Sequence, residues 1–318
     1  MKVVFMGTPE FAVTVLDSII KAGHEIVGVV TTPDKPAGRG QHLHYSDVKQ
    51  YALAHDLPLL QPVKMKDEQF IQELTAWNAD VFVVVAFRML PQSVYTIPPK
   101  GTFNVHASLL PQYRGAAPIQ WSVINGETET GVTTFFLDEH TDTGAIIRQS
   151  KVEITETDTA GSLHDKLMFA GAQIAVDTLA DIEQGKLHTQ PQASDVEIKP
   201  APKIFKEDMH IRWNDTAENI YNKIRGLSPY PAAFSMIGFN DGKSQKDLFV
   251  KIYECEILGT QSSQEPGQYC IKDDKTLTVC TKTSEISIKN LQLEGKKRMN
   301  IEDFLKGFRK GNYTNILF

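Results

Sequence analysis

The sequence predicts an α/β protein in which a mostly parallel sheet wrapped by helices is followed by a smaller, mainly β domain. Three observations carry that expectation. The first half alternates short apolar runs with helical patterns, as βα units do. Between His188 and Lys206 the pattern dissolves into a stretch with three prolines and no periodicity, which reads as a linker. Beyond it come short alternating runs with polar turns, the pattern of a small β-barrel or sandwich.

In chain order, residues 3–6 read as the first strand and residues 10–22 as a helix closed by Gly23, with a second strand at 26–30. Residues 81–86 form a continuous apolar run of the kind buried on both faces of a parallel sheet. Strands at 102–105, 132–137 and 145–154 follow. A long helix over 159–184 places Leu163, Leu167, Ala170, Ile174 and Leu179 near helical spacing, and Gly185 ends it. After the linker, residues 216–226 read as a helix, and 248–257, 267–271, 276–280 and 285–293 as strands. The division is therefore residues 1–188, a linker at 189–206, and a C-terminal domain at 207–318.

A chain of 318 residues with 41% hydrophobic and 23% charged content is an ordinary globular protein of about two domains. Its longest apolar run, residues 81–87, is about a third of what a membrane-spanning helix requires. The N-terminus enters a short strand pattern with no signal-peptide core. A cytoplasmic protein without membrane contact is expected. Cys255, Cys270 and Cys280 lack histidines at metal-ligand spacing and read as reduced thiols. The net charge of −6 hides a split: residues 1–190 carry 14 basic against 22 acidic side chains, and residues 191–318 carry 19 against 17. The second half is thus the better candidate for contact with a polyanion, especially at Lys296-Lys297-Arg298 and Arg309-Lys310, although a solvated surface would carry the same charges.

The chemistry concentrates at the end of the strand over 102–105. Side chains two apart on a strand share a face, so Asn104 and His106 reach one reacting atom from the same side. Asp142 lies further along in Thr141-Asp142-Thr143-Gly144. An amide donor, a titratable imidazole and a carboxylate suffice to move an acyl group without a metal or a covalent nucleophile. Asp142 either pairs with His106 or hydrogen-bonds its own turn backbone. Upstream, Gly7-Thr8-Pro9 holds one glycine where a dinucleotide fingerprint needs three, so nucleotide-cofactor binding is disfavoured. Residues 32–42 form a turn-rich segment in which Pro and Gly punctuate Lys35 and Arg39. It is too long for a simple connection, and a basic loop of this kind could grip phosphates.

The pattern Asn104-x-His106-x-Ser108-Leu109-Leu110-Pro111-x-x-Arg114-Gly115-Ala116-x-Pro118, with Asp142-Thr143-Gly144, resembles the 10-formyltetrahydrofolate-dependent formyltransferases. Gly7-Thr8-Pro9-x-Phe11-Ala12, Pro33-Asp34-x-Pro36-Ala37-Gly38-Arg39-Gly40 and Gly295-Lys296-Lys297 extend the resemblance over nearly the whole chain. They point to members whose acceptor is the methionine carried by initiator tRNA. The resemblance implies a Rossmann-like sheet domain followed by an OB-like barrel. It also implies transfer of a formyl group from 10-formyltetrahydrofolate to the free amine of methionyl initiator tRNA, for translation initiation. Asn104, His106 and Asp142 would be catalytic, with no metal. Phe87, Arg88, Met89 and Leu90, together with Ser108, Leu109, Leu110 and Pro111, would line the folate site. Lys35, Arg39, Lys206, Lys296, Lys297 and Arg298 would contact the tRNA, and the enzyme would act as a monomer.

Two departures from the family pattern stand out. The segment Phe87-Arg88-Met89-Leu90-Pro91 is one residue short and lacks a glycine after the aromatic, and His140 stands where glycine is expected. Competing readings are formyl transfer to a small amine such as a nucleotide-linked amino sugar or glycinamide ribonucleotide, hydrolysis of the formyl donor, and an RNA-binding protein with a degenerate catalytic domain. The intact Asn104, His106 and Asp142 argue against the last.

Overall fold

The computed structural model describes residues 1–37, 42–260 and 264–318, and the chain divides into two compact units. The first comprises Met1–Pro118, Glu129–Glu153 and His164–Pro202; the second comprises Ile119–Thr128, Ile154–Leu163 and Lys203–Phe318.

In the first unit the strands are β1 (Lys2–Gly7), β2 (Glu25–Val30), a short antiparallel ribbon of β3 (Lys35–Ala37) and β4 (His42–His44), β5 (Leu59–Leu60), β6 (Val81–Val85), β7 (Thr102–His106), β8 (Glu129–Phe136) and β9 (Ile146–Glu153). The main sheet runs in the order β5-β2-β1-β6-β7-β8-β9. Pairings are parallel from β5 to β7, and β8 and β9 then add as antiparallel strands. The mostly parallel Rossmann-like sheet read from the sequence is therefore present, extended by an antiparallel edge. All five residues of β6 are buried, as its uninterrupted apolar run requires.

The helix Glu10–Lys21 buries Phe11, Ala12, Val15, Leu16 and Ile19, a stripe spaced by three and four residues. Glu10 sits in its first turn and Lys21 in its last, both favourable to the helix dipole, and Gly23 follows at φ +84°. On the other face, Phe70 and Leu74 from the helix Glu68–Ala76 join Val4, Met6, Phe82, Val84, Leu90 and Val94 in one core. Gly28 in β2 is required by that packing, because a Cβ there would lie 2.3 Å from the Trp77 ring. The long helix spans Ala160–Gln184. Thr159 Oγ1 accepts from the Ser162 amide at its start, and Gly185 at φ +64° ends it.

The second unit holds β10 (Ala233–Asn240), β11 (Gln245–Ile257), β12 (Tyr269–Lys272), β13 (Thr276–Cys280), β14 (Glu285–Leu293), β15 (Met299–Asn300) and β16 (Tyr313–Leu317). The antiparallel order is β12-β13-β14-β11-β10-β16, with β15 on β14. A bridge between Gln268 and Ile316 brings the two ends together and nearly closes a barrel. Its interior is filled by Ile237, Val250, Ile252, Val279, Ile286, Ile288 and Leu291, with Ile220 and Ile224 of the helix Ala217–Gly226 packed on it. Strands β10 and β16 lie outside the elements assigned from patterning. Gly238 interrupts the alternation of β10 because a Cβ there would meet Thr314 at 2.6 Å, so the gap in the pattern is a packing contact between these two strands. Cys255 and Cys280 are buried, Cys270 is half-buried, and all three are free thiols. Burial pushes the Cys255 thiol up to about 12, which leaves it protonated and inert.

Gly28→Val should overpack the contact with Trp77 and cost about 1–3 kcal/mol. Thermal denaturation should show a fall of several degrees, and an unchanged midpoint would contradict this account of Gly28.

Candidate active site

Asn104 and His106 sit on β7 with the same strand parity, opposite Phe135 and Thr133 of β8. His106 is buried, and its Nε2 lies 2.9 Å from the Tyr113 carbonyl oxygen. A carbonyl only accepts, so Nε2 carries the hydrogen and donates it. The other nitrogen, Nδ1, faces Asp142 Oδ2 at 3.9 Å. That separation is too long for a hydrogen bond but close enough for charge pairing. Asp142 Oδ2 instead accepts from the Gly115 amide at 2.9 Å. Asp142 adopts φ +56°, a left-handed conformation that Asp tolerates better than most side chains. The Asn104 side chain is half-buried. His106 and Asp142 are therefore brought together and Asn104 shares the strand face of His106, with Asp142 fixed by a backbone donor rather than bonded to the imidazole.

The loop carrying Ser108 to Pro118 is braced at nearly every turn. Thr133 Oγ1 donates to the Ser108 carbonyl at 2.6 Å and accepts from the Leu110 amide at 3.1 Å. Gln149 Nε2 donates to the Leu110 carbonyl and to Thr133 Oγ1. Ser108 Oγ donates to the Gln112 carbonyl. The proline-rich stretch read as a linker runs along this loop. Tyr113 donates its amide to the Lys199 carbonyl, Ala201 donates to Arg114, and Ala117 donates to Ala201. Gly115 is required there, at φ +126°, with a hypothetical Cβ only 2.4 Å from the Ala201 oxygen.

The residues expected to line a donor pocket divide by exposure. Ser108 and Leu110 are buried, and Leu110 packs with Phe135 and Ile146, so these two support the loop. Leu109 and Pro111 are half-buried. After β6, Phe87 packs against the core that includes Leu90, whereas Met89 is 69% exposed. Arg88 spends its guanidinium on backbone, with Nη1 donating to the Val63 carbonyl at 3.1 Å and Nη2 to that of Pro62. Its Nε is buried without a partner. Partial burial lowers the Arg88 pKa. Arg88 therefore ties the segment after β5 to the segment after β6. A cavity of about 740 Å³ lies in the second unit, lined by Thr155, Tyr221, Arg225, Tyr253 and Glu254 among others, and contains none of these residues.

Residues 1–179 match the formyl transferase family, and residues 203–309 match the formyl transferase C-terminal domain. The chain belongs to the formyl transferase family. A methionyl-tRNA formyltransferase of Bacteroides fragilis is 50% identical over 311 residues, covering 97% of this chain and 95% of the relative. One from Flavobacterium johnsoniae is 50% identical and covers 96% of each. Among solved structures, HypX from Aquifex aeolicus in complex with tetrahydrofolic acid aligns with a TM-score of 0.65 at 17% identity, over 98% of this chain and 48% of that one. WlaRD, a sugar 3N-formyl transferase, aligns at 0.62 and 21% identity, over 93% and 99%. These structures establish the fold.

In this formyl transferase the basic residues expected to meet tRNA fall in both units. Arg39 lies outside the described residues. Lys35 is exposed on β3, opposite His44. Lys206 is exposed at the start of a short helix, its ammonium 4.7 Å from the Phe249 ring centre. Lys296 and Lys297 are exposed in the turn after β14, and Arg298 lies 4.2 Å over the Tyr253 ring while donating to Asn290 Oδ1. His140 is exposed, and its amide donates to Asp138 Oδ1. Among the described residues there is no group of three His, Cys, Asp or Glu side chains placed to hold a metal.

Patterning missed the glutamines and Thr133 that brace the loop, and also the anchor beside Lys35. There Asp34 accepts from Lys49 Nζ at 2.6 Å and from Gln61 Nε2 at 2.9 Å, and Gln61 also donates to the Thr32 carbonyl. The Lys49 hydrogen bond, then that of Gln61, holds the Asp34 carboxyl below its ordinary range. With the folded pKa below the unfolded one, the anchor contributes fully above about pH 4 and is lost as the pH falls through the lowered value. Lys49→Met should move that acid loosening to higher pH, read from hydrogen exchange at residues 32–35, and an unmoved midpoint would exclude the anchor.

Proposed function

We propose that this chain transfers a formyl group from 10-formyltetrahydrofolate to the α-amino group of methionyl initiator tRNA. The observation that carries the reading is Asn104 and His106 on one face of β7 with Asp142 3.9 Å from the imidazole. It stands in a chain half identical, over nearly its full length, to relatives named methionyl-tRNA formyltransferase.

The amine nitrogen attacks the formyl carbon, whose π electrons move to oxygen as a tetrahedral intermediate forms. With Nε2 committed to the Tyr113 carbonyl, Nδ1 is the imidazole nitrogen left to face the reaction. A protonated Nδ1 and the Asn104 amide donate to the oxyanion, the type of stabilisation worth about 2.7–4 kcal/mol per donor. Asp142, 3.9 Å from Nδ1, accepts the proton released by the attacking amine. Collapse of the intermediate breaks the bond to N10 of the folate, which leaves with the proton that Asp142 took from the amine. Met89, Phe87, Leu109 and Pro111 offer apolar surface for the donor. Leu90, Ser108 and Leu110 act on it through the backbone they hold in place, as Arg88 does.

On this reading residues 1–188 carry the formyl-transfer chemistry, residues 207–318 serve the tRNA, and residues 189–206 join them while bracing the catalytic loop. Lys35, Arg39, Lys206, Lys296, Lys297 and Arg298 meet the phosphates. Cytoplasmic location fits the three free thiols, and among the described residues no helix is long and apolar enough to cross a membrane. We take the working unit to be the monomer.

Release of tetrahydrofolate should require charged methionyl-tRNA, with uncharged tRNA and buffer inactive. Release with buffer alone would indicate a hydrolase, and release with an amino sugar would indicate a different acceptor. Asn104→Ala should lower kcat on the order of 10²–10³-fold, and a normal kcat would remove Asn104 from the catalytic set. Lys296→Ala with Lys297→Ala should weaken tRNA binding and flatten its salt dependence by about one logarithmic slope unit for each phosphate no longer neutralised. An unchanged slope in a salt titration would place the tRNA elsewhere.

A further inference from the structure

Gln192 belongs to none of the motifs that point to formyl transfer. It lies in the proline-rich stretch, 50 residues from Asp142 and 78 from Arg114, yet its amide contacts both. Oε1 accepts from Arg114 Nε at 3.0 Å and from Arg114 Nη2 at 2.6 Å. Nε2 donates to the Asp142 carbonyl at 2.8 Å and to the Gly144 carbonyl at 2.9 Å. One side chain thus makes four hydrogen bonds, its acceptor turned to a guanidinium and its donors to two carbonyls of the turn that carries Asp142.

That turn needs an external restraint. Asp142 is in the left-handed region at φ +56°, a conformation that persists when its surroundings impose it. At its other end, Gly144 is wedged against β8, where a Cβ would lie 1.7 Å from the Phe136 oxygen. On the side-chain face of Asp142 the Gly115 amide holds Oδ2. Gly115 directly follows Arg114, which Gln192 also holds. The bonds therefore close a ring: Gln192 to the Asp142 backbone, the Asp142 carboxylate to Gly115, Gly115 to Arg114 along the chain, and Arg114 back to Gln192. The position of Oδ2 relative to His106 Nδ1 depends on that ring.

We propose that Gln192 is a positioning residue for formyl transfer, setting the Asp142 carboxylate against His106 and the reacting amine. This rests on the reading of Asp142 as part of the catalytic set. Both halves of the amide are needed. A glutamate would keep the pairing with Arg114 and strengthen it as an ion pair, but would turn an acceptor toward the Asp142 and Gly144 carbonyls. A methionine of similar length would remove both sets of bonds. Displacing a catalytic group by about 1 Å is enough to cost on the order of 10²-fold in rate.

The test measures steady-state kinetics of the full chain with methionyl-tRNA and 10-formyltetrahydrofolate for Gln192→Glu, Gln192→Met, Asp142→Asn and the double variants, with thermal melting of each. The expected result is a fall in kcat of roughly 10- to 100-fold for both Gln192 variants, with KM for the folate within about twofold of the parent. In the Asp142→Asn background the same Gln192 changes should produce no further loss, because residues acting through one another are not additive. Parental kcat in Gln192→Glu would overturn the proposal, since the lost donors would then not matter. So would an equal proportional loss in the Asp142→Asn background, or a loss confined to KM. If Gln192→Glu melts well below the parent, single-turnover rates at low temperature on the folded fraction replace the steady-state comparison, with the same outcomes. A parental kcat for Asp142→Asn by itself would instead overturn the catalytic reading on which the proposal rests.

Discussion

The hydrogen bond from His106 Nε2 to the Tyr113 carbonyl orders the rest of the site. It sets the tautomer and the ring plane of a buried imidazole, and so decides that Nδ1 is the nitrogen turned toward Asp142. An imidazole free to flip would offer either nitrogen, and the carboxylate would have no fixed partner. The bond is only as good as the position of Tyr113, which lies in an irregular loop and is itself left-handed at φ +60°. A carbonyl there has no helix or sheet ladder to hold it. The loop must therefore be supported by side chains and by another piece of chain, and this is what Thr133, Gln149, Gln112 and the 192–201 stretch provide.

The support is polar because the loop is. A loop at the end of a buried strand brings backbone donors and acceptors into a region with little water, and each left unpaired costs about 1–3 kcal/mol. Thr133 is fully buried, yet its hydroxyl donates to Ser108, accepts from Leu110 and meets Gln149, so it turns three potential penalties into a rigid junction. The antiparallel edge of the sheet supplies these groups. β8 carries Thr133 opposite His106, and β9 carries Gln149 opposite Thr133. An edge that continued parallel would place its strand ends and side chains differently. The departure from a fully parallel sheet is thus tied to the chemistry it backs.

Much of this is legible in the sequence, and what is not has a physical reason. The buried run of β6, the helix Glu10–Lys21 with its closing glycine, and the spacing of Asn104 and His106 announce themselves through periodicity and residue type. The bracing contacts do not. Most of their acceptors are backbone carbonyls, those of Tyr113, Ser108, Leu110, Asp142 and Gly144, which every residue type carries. Apart from His106, their donors are Thr133, Gln149 and Gln192, in ordinary-looking positions. Residue type alone suggests Asp142 as a partner of His106, but the Gly115 amide that fixes its oxygen is visible only once the loop is folded. The proline-rich stretch shows the same limit. Its lack of periodicity reads as a linker, but says nothing of the carbonyls and amides through which Lys199 and Ala201 hold the loop over 108–118.

The charge split along the chain runs parallel to the proposed division of labour. The first part of the chain carries the proposed reaction centre within an acidic excess of 22 to 14. A polyanionic acceptor is repelled by such a field, so on the proposed reading its phosphates rely on local cations, Lys35 in the first part and others in the second. The second part of the chain, at 19 basic to 17 acidic residues, concentrates them in an exposed turn at Lys296 and Lys297. Beside that turn Arg298 lies over Tyr253, and Lys206, at the start of its short helix, lies over Phe249, so both cations rest against aromatic faces of β11. Such pairing orders the long side chains before any phosphate arrives and reduces the entropy lost on binding. Within the first unit, Lys199 and Ala201 of the proline-rich stretch brace the loop that follows β7 through Tyr113, Arg114 and Ala117.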